Sequence, residues 1–274
     1  MRLASPILAV VSALALLSCG SESGDPHSDG GVPAPGGKGA RIREVNNPTT
    51  PGHADRVGTT LAVSGAIVVA VDSFDEAQNG RSAGTIYVQD LGSKEPYSGI
   101  TLFAPTFNPG NLRVSPGDVL DLRGEYQENK NIGTAVFTPG APLPQMSQPI
   151  ATFRYETAVP QPVDITVQDL ADYTTGRKWL GMLVRISDVT LQEDAGRTEE
   201  SNGRLAVDLL PRTPGAANKC DSPFPKVPEM TNDLFDVGAL AMRKNQKLKS
   251  ITGVVGYFCS IKIAPRSAAD IVMQ

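Results

Sequence analysis

The 274-residue chain is short of most residues that carry chemistry: two histidines, three cysteines, one tryptophan, and 5% aromatic side chains in all. Both histidines, His27 and His53, fall in the first fifth of the sequence. That excludes a histidine-based triad or a histidine-rich zinc site further along the chain. No apolar run reaches the roughly 20 residues a membrane-spanning helix needs. No glycine-rich phosphate loop of the Walker type and no HExxH pair occurs. Positive charge is also in deficit: 25 Lys+Arg stand against 29 Asp+Glu, a formal net charge of −4. Residues 19–159 hold 10 basic and 15 acidic side chains and residues 160–274 hold 14 of each, with no basic stripe in either part. This argues against an electrostatic nucleic-acid footprint, and the scarcity of rings argues against a base-stacking platform. What the chain has instead is 27 glycines, 22 prolines and many short Val/Ile-rich runs, the composition of strands and turns.

These runs come in two sets of similar order. In the first set "TLAVSGAIVVAV" from Thr60 reads as a long strand bent at Gly65, where a missing side chain permits a bulge. "TIYVQDL" (85–91), "SGITLF" (98–103), the alternating "VLDLRGEY" (119–126) and "GTAVFTPG" (133–140) supply four more. The segment between the third and fourth is turn-rich, with no helix. In the second set "GMLVRISDVTL" (181–191), "GRLAVDLL" (203–210), "DLFDVG" (233–238), "LKSITGVVGYF" (248–258) and "SIKIAPRSAADI" (260–271) follow in the same order. Gly253 stands in the place of Gly124, and Ile263-Ala264-Pro265 answers Phe137-Thr138-Pro139. Such correspondence indicates tandem domains. Ile186, in the place of Gly65, predicts a different bend in the second opening strand.

Five strands, a long bent first strand and a short crossing between the third and fourth resemble an OB-fold, a partly open Greek-key barrel. "VSG", "VQD" and "SPGDVLDLRGEY", then "PVDITVQDL" and "WLGMLVRISDVTL", are similar to the OB-type modules preceding the catalytic domain in secreted bacterial endonuclease/exonuclease/phosphatase-type nucleases. The resemblance spans roughly residues 58 to 271 and implies an all-β chain: two tandem five-stranded OB-like Greek-key barrels, residues 57–148 and 160–274, after a disordered tether. The chain printed here ends at Gln274, soon after the second barrel, so no catalytic domain of those nucleases is matched.

The N-terminus suggests an address. Arg2 and the apolar stretch from Leu3 to Leu17 fit a secretory signal over residues 1–18. "LLSCG" (16–20) resembles the lipobox of bacterial lipoproteins, which implies cleavage before Cys19 and acylation of its thiol and amine. Several acyl chains on one residue give stable membrane anchoring. "GSESGDPHSDGGVPAPGGK" (20–38) lacks apolar periodicity and reads as the start of a flexible tether extending to residue 45. Gly20 is not the aspartate that retains lipoproteins in an inner membrane, so the resemblance points to the outer membrane.

The remaining candidate residues have plain readings beside functional ones. Cys220 and Cys259 are expected to form a disulfide in an oxidising compartment; a reactive or metal-binding pair is the alternative, without a histidine nearby. Asp72 and Asp75, with Glu76 and Asn79, form an acidic first loop with oxygens of the kind Ca²⁺ takes, but the spacing is not that of an EF-hand and a solvated loop is the plainer reading. That loop is a rim where OB-folds bind ligands, and Tyr87, Tyr97 and Phe103 could present rings beside it or serve as core. Arg113, Arg123, Arg204 and Lys262 read as solvated cations, and Trp179 is expected between the domains. Asp118/Asp121 and Asp233/Asp236 are the carboxylate pairs a hydrolase would need, at positions that suit caps. No catalytic set, cofactor or metal is assigned. The expectation is a lipid-anchored, non-catalytic binding or scaffold protein for a glycan, peptide or protein partner. The alternative is a nucleic-acid-binding accessory of an exported nuclease system.

Overall fold

The computed structural model describes residues 38–72, 84–196, 205–213 and 218–274, all within one unit, Ala34–Gln274. The signal, Cys19 and residues 19–37 of the expected tether lie outside the described residues, as do Asp75, Glu76, Asn79 and Arg204.

The first sheet is built from β1 (Thr59–Val71), β2 (Ile86–Asp90), β3 (Gly99–Phe103), β4 (Thr106–Asn108) and β5 (Asp118–Asn129). A small hairpin follows, β6 (Asn131–Ile132) and β7 (Ala135–Val136), and then the long β8 (Leu143–Glu156). Strand order is β3-β2-β1-β5-β8-β4, and β3 also pairs with β8. That pairing closes a five-stranded barrel, compatible with an OB-like fold. Alternation sends Val68, Ile86, Val88, Ile100, Leu102 and Leu120 into its interior. The β1 bulge falls where expected: register jumps from Val63↔Leu122 to Ala66↔Leu120, with Gly65 between them at φ +71°. The freed Gly65 N–H donates to Asp121 Oδ1 at 3.1 Å.

The fifth barrel strand is not the expected 133–140, of which only Ala135–Val136 is strand, in the side hairpin. It is β8, whose Pro144 and Pro149 argue against a strand on sequence alone. Pro144 lies before β8 begins its pairing with β3 at Gln145. Pro149 lies where β8 leaves β3 after Ser147 and joins β4 at Ile150, opposite a register shift in β5. Pro144 still pairs with Glu128 of β5, one residue before the β3 ladder begins, and Pro149 sits at the break between the β3 and β4 ladders.

The second sheet contains β9 (Val163–Ile165), β10 (Leu183–Thr190), β11 (Ala206–Asp208), β12 (Glu229–Thr231), β13 (Lys247–Phe258), β14 (Ser260–Ala264) and β15 (Ile271–Met273). Its order is β11-β12-β14-β13-β10-β9, with β15 on β13. Among the described residues this sheet does not close, so the expected second OB-like barrel is not shown. Its third strand is Glu229–Thr231 rather than 233–238, part of which is a short helical turn, Val237–Leu240. The order nonetheless repeats that of the barrel, including a parallel β12–β14 pair like β3–β8. The missing seam is β10–β11, which corresponds to β1–β2. The reason is visible in the opening strands. β1 runs 13 residues and its bulge lets it pair with β5 and then β2; β10 runs eight residues in unbroken phase along β13, with Ile186 buried in the place of the bulge glycine.

The two sheets meet through a shared core. The outer face of β1 and β2 (Ile67, Val69, Tyr87) packs against Leu183 and Val254. Backbones approach closely there: Gly181, at φ +77°, lies so near β3 that a Cβ would stand 2.4 Å from the Ile100 nitrogen. Gln89, fully buried, accepts the Leu183 N–H at 3.0 Å. Trp179 is partly buried against a core cluster that joins second-sheet residues with Phe137, Ala141 and Leu143.

The first sheet is packed by residues that precede the expected boundary at residue 57. Ala40 bridges to Val63, and α1 (Ile42–Asn46) and α2 (His53–Arg56) cover the barrel, with Ile42 and Val45 in its core. The Asp90 carboxylate caps α1 from a distance, accepting the N–H groups of Ile42 at 2.7 Å and Arg43 at 3.0 Å. Desolvation nevertheless dominates and pushes the Asp90 carboxyl up to about 6. The native state therefore holds this proton at higher pH than the unfolded chain, and Asp90 subtracts stability as pH rises from about 4 to about 6. Carboxyl NMR should show one aspartate titrating near pH 6, absent in Asp90→Asn; a midpoint in the ordinary range would contradict this.

Candidate functional site

Register brings four outward-facing residues into one row across four barrel strands. Tyr87 of β2 pairs with Thr101 of β3, Thr101 with Gln145 of β8, and Gln145 with Gln127 of β5. Their neighbours Val88, Leu102, Met146 and Tyr126 are interior, so alternation turns the row outward. A second row sets Phe103 beside Ser147. Facing these rows are Gly256, Tyr257 and Phe258 of β13, and Lys262 of β14. Together they line a cavity of about 490 Å³ between barrel and second sheet, within the roughly 300–1,000 Å³ of small-molecule sites. A Cβ on Gly256 would lie 3.5 Å from the Tyr87 hydroxyl, which marks how near the two walls come.

The row is held by its own hydrogen bonds. Gln145 Nε2 donates to Gln127 Oε1 at 3.2 Å, and Gln127 Nε2 donates to Glu125 Oε1 at 3.1 Å. On the opposite wall the Tyr257 hydroxyl donates to Ala141 O at 2.9 Å, and burial pushes the Tyr257 phenol above its ordinary range. Lys262 Nζ lies 3.8 Å from Glu229. Phe103 and Phe258 remain 48% and 41% exposed, two rings that the protein itself does not cover.

Of the five rim residues proposed from sequence, Asp72, Tyr87 and Phe103 line this one cavity. Tyr97 does not: it sits in the β2–β3 turn, where its N–H donates to Lys178 O at 2.6 Å and so joins the two halves. The sequence reading missed Gln127, Gln145 and the whole β13–β14 wall. Thr101-x-Phe103 carried the period-2 signal; Gln145 lay in a strand hidden by its prolines. Three of the four paired carboxylates accept hydrogen bonds: Asp118 from the Ser115 N–H at 2.9 Å, Asp121 from the Gly65 N–H at 3.1 Å, and Asp233 from the Thr231 hydroxyl at 2.9 Å.

A denser polar cluster lies away from the cavity. Glu128, the penultimate residue of β5, receives Arg177 in an ion pair, His53 Nε2 at 3.0 Å and the Tyr126 hydroxyl at 3.1 Å. Tyr126 is fully buried and its hydroxyl also reaches Asn46 at 3.2 Å. Burial alone would push the Glu128 carboxyl up; the Arg177 guanidinium and the hydrogen bonds from His53, Arg177 and Tyr126 outweigh it and hold it below the usual carboxylate range. Asn46 and His53 come from the N-terminal segment, Tyr126 and Glu128 from the barrel, and Arg177 from the helical turn after α3 (Tyr173–Gly176). Asn46 also donates to Gly99 O at 2.8 Å and His53 Nδ1 meets Val45 O at 3.0 Å, so the cluster ties three parts of the chain together.

Cys220 and Cys259 form the expected disulfide. Beside it the buried Lys226 donates to the carbonyls of Cys259 at 2.6 Å, Lys219 at 2.7 Å and Cys220 at 3.1 Å. Desolvation lowers the Lys226 ammonium from its ordinary range. Among the described residues no His/Cys/Asp/Glu group suited to a metal ion occurs, and no helix is long and apolar enough to cross a membrane. Comparison with protein-family models, with curated proteins and with solved structures gives no significant match.

Proposed function

We propose that this chain is a lipid-anchored, non-catalytic binding protein that holds a small polar ligand between its OB-like barrel and an opened copy of the same fold. The observation that carries the reading is the cavity of about 490 Å³, where uncovered rings and side-chain amides converge on the outer face of a closed barrel. Its walls are rigid strands, which suits recognition by side chains already in place. The lipobox-like "LLSCG" supports attachment through Cys19, with the outer membrane as the address.

Two measurements test this. Detergent-solubilised full-length protein is titrated calorimetrically with neutral oligosaccharides, oligothymidylate, and acidic, basic and neutral peptides, in parallel with Thr101→Trp, which places an indole in the middle of the cavity. Binding of any class by the wild type, lost in Thr101→Trp at unchanged melting temperature, supports the reading. No binding, or binding that the tryptophan leaves intact, overturns it. For the anchor, Cys19→Ala should move the protein from the membrane fraction to the soluble one; retention in the membrane would refute lipidation at Cys19.

A further inference from the structure

We propose that the ligand of this cavity is a short, uncharged glycan, a proposal that rests on the cavity being the ligand site. The first argument is the hydrogen-bonding chemistry of the walls. Thr101, Gln127, Asn129, Asn131, Gln145 and Ser147 all contribute groups that are neutral at every physiological pH. A carboxamide both donates and accepts, so one amide can serve two adjacent hydroxyls of a sugar ring at once. The row spends one N–H of Gln145 on Gln127 and one N–H of Gln127 on Glu125. Each amide keeps a second N–H, and Gln145 keeps its carbonyl, in a row already fixed in position. The second argument is the pair of uncovered rings. Phe103 at 48% and Phe258 at 41% exposure come from the two opposite walls. They offer flat apolar faces of the kind that cover the C–H face of a pyranose while its hydroxyls meet the amides.

The same walls argue against the other ligand classes. A nucleic acid needs cations along its phosphates. Among the described residues that line it, the cavity offers Lys262 as its one cation, and that ammonium lies 3.8 Å from Glu229, while Asp233 adds a further carboxyl. Acidic glycans meet the same carboxyls. A peptide bound in extended form draws its affinity from a free strand edge. Here β1, β2, β3, β5 and β8 each pair on both sides in the closed barrel, so these strands offer a ligand their side chains rather than an edge. A neutral polyol with one apolar face is the chemistry that remains.

The test uses the full-length protein and commercially defined probes: cello-, malto- and chito-oligosaccharides as neutral glycans, oligogalacturonate as the acidic counterpart, oligothymidylate, and oligo-alanine. One or more neutral series should bind, with the acidic series, the oligonucleotide and the peptide at least tenfold weaker. Gln145→Leu and Gln127→Leu keep side-chain bulk and remove the amide; each should weaken neutral-glycan binding by about tenfold, as loss of a ligand hydrogen bond does. Phe103→Ala, on an exposed position, should weaken it by a similar factor without lowering the melting temperature. The glycan assignment is overturned if oligogalacturonate, oligothymidylate or peptide binds best while Thr101→Trp still abolishes that binding; the cavity would then remain the site of a different ligand. It is also overturned if neutral glycans bind but the two leucine variants bind them unchanged. Absence of all binding removes the cavity reading and the glycan together.

Discussion

Arg177→Ala should lower the unfolding free energy by about 3–5 kcal/mol, because it leaves a carboxylate largely buried without its partner. Glu128 would lose the guanidinium that outweighs its desolvation, and Asn46 and Tyr126 would lose the approach of the same group, at 3.5 Å each. Chemical denaturation at pH 7 measures the effect, and a loss below about 1 kcal/mol would show the cluster to be incidental. The double variant Glu128→Gln/Arg177→Met should recover part of the loss, since it removes both charges and leaves an amide for His53 and Tyr126. The pH dependence has a defined sign. Glu128 titrates lower in the native state than in the unfolded chain, so its contribution is present above the ordinary carboxylate range and is lost as pH falls through that range. Wild-type protein should thus be more acid-sensitive than Arg177→Ala in this respect. Asp90 contributes the opposite slope, and the two separate cleanly in an Asp90→Asn background.

Breaking the disulfide is the second large effect. Cys220 and Cys259 are 39 positions apart. On the chain-entropy model the closed loop stabilises by about 3–4 kcal/mol, which corresponds to about 10 °C in melting temperature for a domain of this size. Cys220→Ala/Cys259→Ala, or reduction of the wild type, should show that loss in a thermal scan. The Lys226 site adds a local signature. Its ammonium is held by carbonyls on both sides of the bridge, at Cys220 and Cys259. Release of the bridge should therefore raise hydrogen exchange at residues 218–228 before the barrel strands respond. Uniform exchange across both sheets would contradict this order.

The legible parts of the fold were those written in local pattern. Short apolar runs placed β1, β2, β3, β10 and β13 to within two residues and β5 to within three, and the lone glycine in β1 marked its bulge. The disulfide followed from two thiols in a chain expected to be exported. The illegible parts depended on partners distant in sequence. β8 looked broken by Pro144 and Pro149, because nothing local says that one sits just before the β3 ladder and the other at the break between the β3 and β4 ladders. Most of α1 was read as tether, since a five-residue helix has too few turns to show a stripe and is held by the Asp90 carboxylate some 48 positions away.

The positions of six strands and a similar succession of strands in the two halves were legible in the sequence, because alternation and turn chemistry act over neighbouring residues. Whether a set of strands closes was decided in three dimensions. β1 is long and bent enough to pair with β5 and then with β2, whereas β10 pairs with β13 on one side and the short β9 on the other, and among the described residues no β10–β11 seam forms. The cavity is a consequence of that difference and of how the two sheets pack. Its amides come from β5 and β8, its rings from β3 and β13, and residues 103 and 258 become opposite walls only when the sheets meet. Side-chain convergence of this kind is set by long-range pairing and packing, which no local pattern encodes.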